Sequence, residues 1–87
     1  MIADKKREER RMYVIRDIFK PIAKKYRTSH YAKSLGITMA HTSTILNGYR
    51  CSAMAARGIL SICFAIPMGD ERIEELLEKY FIETKEE

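Results

Sequence analysis

Apolar side chains recur at intervals of three and four along most of this chain, the spacing that sets them on one face of a helix. Met12, Ile15, Phe19, Ile22 and Tyr26 form the first such row, within residues 4–26. Asp4 stands where it can cap that helix, and Glu8 and Glu9 alternate with basic residues at helical distances. Pro21 has no amide proton and crowds the turn before it, so a kink or break is expected near Lys20. A second helix is expected over 29–35, with Thr28 or Ser29 as N-cap, Tyr31, Ala32 and Leu35 inward, and Gly36 as its stop. Thr38 caps a third over 39–47, with Thr42, Ile45 and Leu46 inward and Asn47-Gly48 as its end.

Residues 49–52 read as a loop, and Ser52 caps a fourth helix over 53–66. That segment is apolar almost all round, the mark of a helix buried on most sides. Gly58 inside it permits a close helix crossing, and Pro67 ends it. A last helix is expected over 70–83, capped by Asp70, with Ile73, Leu76, Leu77, Tyr80 and Phe81 in one apolar stripe. The tail from Glu83 to Glu87 is expected to fray. No alternating strand pattern and no hairpin turn is evident. The expected fold class is therefore all-α, one domain over residues 1–87 built as a bundle of about five helices.

Composition narrows the class without changing that picture. With 46% hydrophobic and 32% charged residues, the chain has the make-up of a globular domain rather than a disordered one. No apolar run approaches the ~18 residues that span a bilayer, and the first residues lack the apolar core of a signal peptide, so the cytoplasm is the expected compartment. Cys63 lies in an apolar run and reads as a small buried hydrophobe, whereas Cys51 falls in the loop and is open to exposure. A disulfide between them is not expected in a reducing compartment. Together with His30 and His41 they match no zinc spacing, so no metal or other cofactor is expected. Carboxylate pairs, Ser-His or Cys-His spacings and glycine-rich phosphate loops are also missing, and an enzyme is not the expected class.

Charge is more telling than composition. Residues 1–50 hold 12 Lys/Arg against 4 Asp/Glu, while residues 51–87 hold 4 against 8, so a basic half precedes an acidic one. A basic surface attracts polyanions. Lys5, Lys6, Arg7, Arg10 and Arg11 are a candidate basic arm for a minor groove, or else the solvated end of the first helix.

The stretch from Tyr31 to Thr38, followed by Leu46-Asn47-Gly48, resembles the phage repressor/Cro-type (lambda repressor-like) helix-turn-helix family. The resemblance rests on small Ala32, Gly36, apolar Ile37, capping Thr38, apolar Ile45 and Leu46, and terminal Asn47-Gly48, and it covers residues 12–66. It implies a compact helical bundle whose second and third helices, residues 28–48, read DNA. It further implies that Met39, Ala40, Ser43 and Thr44 face base edges, with Thr28, Thr38, His41, Asn47, Tyr49 and Arg50 toward phosphates. Met39 and Ala40 stand where Gln or Ser is common in the family, and Thr42 where Val or Ile is usual. Thymine methyl contacts, single hydrogen bonds and shape readout then replace bidentate base contacts.

A protein of this type reads two half-sites as a homodimer. Ile73, Leu77, Tyr80 and Phe81 on the last helix are the candidate interface. The expectation is thus a repressor-type transcriptional regulator bound to double-stranded DNA. Two rivals accompany it: a DNA-binding antitoxin or autoregulator, and a protein-interaction module on a scaffold that no longer reads DNA.

Overall fold

The computed structural model describes residues 11–84. The arm residues Lys5, Lys6, Arg7 and Arg10, and the tail from Lys85 to Glu87, lie outside the described residues. In chain order the elements are β1 (Met12–Ile15), α1 (Lys20–Ala23), α2 (Thr28–Leu35), α3 (Met39–Leu46), β2 (Cys51–Ser52), α4 (Ala53–Phe64), α5 (Arg72–Tyr80) and β3 (Phe81–Thr84). The fold is mixed, not all-α: a three-stranded antiparallel sheet of order β2-β1-β3 accompanies the five helices.

The sheet corrects the two ends of the expected bundle. Tyr13-Val14-Ile15 is an aromatic and β-branched run that suits a pleated strand. Its burial alternates, with Tyr13 and Ile15 buried and Met12 and Val14 half-covered. The first helix is reduced to one turn, and Pro21 sits in that turn, where its missing amide proton costs nothing. At the other end the last helix stops at Tyr80, and Phe81–Thr84 pair with β1 in register Ile15↔Phe81, Val14↔Ile82, Tyr13↔Glu83 and Met12↔Thr84. Glu83 and Thr84 are thus strand residues rather than a fraying tail. The loop expected at 49–52 contributes β2, whose Cys51 and Ser52 oppose Tyr13 and Met12. All three strands are short and joined through helices, so no hairpin turn announces them.

The helices pack over one side of this sheet. α4 contacts β1, β2, α1, α2 and α5, which explains its nearly all-round apolar character. Gly58 lies where α2 crosses α4: a Cβ there would collide with Leu35 Cδ2. Phe19 is fully buried at the centre of an aromatic group, its ring 4.8 Å from Tyr80, 5.8 Å from Phe81 and 6.0 Å from Phe64. Such offset pairs contribute about 0.5–1.5 kcal/mol each beyond the area they bury. Tyr31, also fully buried, donates its hydroxyl to the Ala23 carbonyl at 2.7 Å and ties α2 to α1.

This packing removes the expected dimer surface. Ile73, Leu77 and Phe81 belong to the core, and Tyr80 packs against it between Phe19 and Phe64. The strong apolar stripe of α5 faces its own chain. Cys51 is buried too, contrary to its expected exposure in a loop, and burial pushes its thiol up to about 12. Cys51 and Cys63 are both free thiols.

Candidate nucleic-acid interface

α2 and α3 form a helix-turn-helix. α2 ends in the turn that its sequence dictates: Gly36 takes a left-handed conformation, φ 72° and ψ 31°, and its amide bonds the Ala32 carbonyl. A side chain at that φ would cost about 1–2 kcal/mol. The Ile37 amide returns to the same carbonyl at 3.1 Å, and the Ile37 side chain packs against the core between the two helices. α2 itself starts one residue earlier than the Ser29 start would have it. Arg27 is the N-cap residue and supplies no capping side chain, so neither Thr28 nor Ser29 fills that role.

Thr38 caps α3 by accepting the His41 amide on its hydroxyl at 3.1 Å. Its carbonyl accepts twice from Thr42, from the amide at 3.0 Å and from the hydroxyl at 2.8 Å. Thr42 is fully buried, and that second bond satisfies its hydroxyl. It therefore occupies a position suited to Val at no unpaired polar cost. Ile45, fully buried, and Leu46, half-buried, anchor the rest of the inward face.

Met39, Ala40, His41, Thr44 and Asn47 are exposed on α3, and Ser43 is half-buried beside them. The hydroxyls are already oriented. Thr44 donates to the His41 carbonyl at 2.7 Å, which leaves its oxygen as an acceptor. Asn47 donates to the Ser43 carbonyl at 2.8 Å and lies 3.4 Å from the Ser43 hydroxyl, leaving that hydroxyl's proton to be given outward. Met39, 57% exposed, and the Ala40 methyl supply apolar contact of the kind a thymine methyl meets. The face can thus accept at Thr44, donate at Ser43 and touch methyl groups at its start.

After α3, the Tyr49 amide bonds the Thr44 carbonyl at 2.9 Å across Gly48, whose φ of 113° turns the chain outward. Tyr49 and Arg50 are exposed in that turn. No family model, curated protein or solved structure matches this chain. Two residues that sequence reading did not assign join the site: Lys20 and Lys24 line a cleft with Thr28, Ser43 and Asn47. Their signal was present as the basic character of the first half of the chain, but the expected break near Lys20 did not say that the one-turn α1 would border a cleft with α3.

Arg11, the one described residue of the proposed arm, instead meets Glu83 of β3 at 3.4 Å. Among the described residues no three His, Cys, Asp or Glu side chains converge on a point that could hold a metal ion. Nor is any described helix long and apolar enough to cross a membrane.

Proposed function

We propose that this chain is a sequence-specific double-stranded DNA-binding regulator of transcription, of repressor type, acting in the cytoplasm as a homodimer. The observation that carries the reading is the α2–Gly36–α3 unit, whose capped second helix turns a small-residue, hydrogen-bonding face to solvent. A major groove about 12 Å wide admits such a helix, and its base edges present the donors, acceptors and methyl groups that this face complements. The turn after α3 adds Arg50, and the cleft beside it adds two lysines, so cations flank the face. The dimer contact lies away from Ile73, Leu77 and Phe81, which fill the core of a single chain.

The test is binding to the DNA upstream of the protein's own gene, titrated with salt. Affinity should fall with a log–log slope of about −0.9 per phosphate contacted, hence roughly −5 for six contacts. Thr44→Ala should change sequence preference, whereas Arg50→Ala should weaken binding to all duplexes alike. Absence of binding at low salt, or equal affinity for random duplex, would remove the operator model. The second reading, a protein-interaction module, draws support from the exposed Met39 and Tyr49 beside the same face. It gains if a partner protein, and not DNA, protects α3.

A further inference from the structure

A cleft of about 210 Å³ opens between α1 and α3, bordered by recognition-helix residues Ser43 and Asn47. Lys20 and Lys24 supply its cationic side, and Thr28 its further hydroxyl. No carboxylate is among the described residues that line it. The lining therefore carries two lysine side chains, three hydroxyls (Tyr26, Thr28 and Ser43) and an amide, a set matched to an anion rich in acceptor oxygens. Lys20 is half-buried, its Nζ held 3.1 Å from the exposed Asp17 carboxylate. It rests beside the end of α3, so close to Gly48 that a Cβ there would lie 3.6 Å from Nζ. The Ser43 hydroxyl accepts from Asn47, so its own proton is available to a ligand in the cleft.

We infer that this cleft seats a backbone phosphate of the bound duplex, with Lys20 and Lys24 as its charged contacts. The inference rests on the DNA-binding reading above. A phosphate held here would touch α1 and α3 at once and fix how deeply the recognition helix enters the groove. It makes Lys20 and Lys24 positioning residues and places them outside base readout. Ser43 then divides its role, its hydroxyl reaching the backbone as readily as a base edge. Asp17 becomes a competitor, since its carboxylate occupies the same ammonium group that the phosphate would use.

The test measures salt slopes for wild type, Lys20→Gln, Lys24→Gln and the double variant on a random-sequence duplex of about two helical turns. Each single variant should flatten the slope by about 0.9, and the double variant by about twice that. Between 50 and 200 mM salt, the double variant should lose roughly tenfold less affinity than wild type does. Asp17→Asn should tighten binding to every duplex by up to about fivefold, the worth of an exposed ion pair. Lys79→Gln, on α5, should keep the wild-type slope. An unchanged slope in the double variant, or an equal flattening in Lys79→Gln, overturns the cleft assignment while leaving DNA binding intact. A wild-type protein that binds no duplex at low salt overturns the function and the cleft together.

Discussion

At the scale of single residues, steric room decides as much as polarity does. Gly58 shows this most directly. A glycine inside a helix usually costs about 0.5–1 kcal/mol relative to alanine, so Gly58→Ala would stabilise α4 if nothing stood beside it. Here the new methyl would strike Leu35 Cδ2, at the crossing that seats α2 on the core. Overpacking of that kind costs about 1–3 kcal/mol, enough to outweigh the helix gain. Urea unfolding should show Gly58→Ala less stable than wild type by up to about 2 kcal/mol, and less costly when made in a Leu35→Ala background, where the methyl it strikes is gone. A more stable Gly58→Ala would mean that the helices do not cross so closely. The close crossing was legible in the sequence, since glycine in so apolar a helix needs a reason. What it crosses was not legible, because Leu35 is far away along the chain.

Among elements, the caps of α3 and α4 were readable, that of α2 was not, and the strands were the least readable. Thr38 and Ser52 each accept the amide three residues on, from His41 and Ala55, as a capping side chain does. Asp70 was readable in type but shifted in place: it accepts the Arg72 amide at 2.8 Å and the Arg72 guanidinium at 2.7 Å, two residues before α5, whose N-cap residue is Glu71. Those hydrogen bonds hold its carboxyl down to about 2. The unfolded carboxyl titrates near its ordinary value of about 3.9, above the folded one. The stability it contributes is thus present above about pH 4 and lost as pH falls through about 2. Thermal unfolding of wild type and Asp70→Asn should differ above that window and converge below it. A difference that persists to the lowest pH would show that the pairing does not depend on the charge.

The strands escaped for a physical reason. Met12, Ile15 and Phe19 satisfy a helical spacing and a strand-plus-turn equally well, and four residues are too few for alternation to separate them. Only pairing across the whole chain tips the balance toward β1, and that pairing is invisible to local periodicity.

For the whole molecule, the central outcome is that α5 closes the core instead of offering a surface. Leu77 is 4% exposed and packed among β1, α4 and β3 residues of its own chain. Leu77→Glu would place a carboxylate among them at a cost of at least about 3 kcal/mol, a large part of the ~5–15 kcal/mol that holds a small domain. Circular dichroism should show that variant unfolded or nearly so, and sedimentation should not find a folded monomer. A folded monomer would restore α5 as the dimer interface.

The sheet has a further bearing on how the helices are held. Met12 lies opposite Thr84, so the strand pairing joins points 72 residues apart and closes nearly the entire described chain into one loop. Loop closure costs entropy before any contact offsets it, and folds ruled by distant pairs form slowly for their size. Tyr80 and Phe81 complete the aromatic group around Phe19, so that group is whole only when the two ends of the described chain have met. The helices between the strands are thus held by a clasp between segments 72 residues apart.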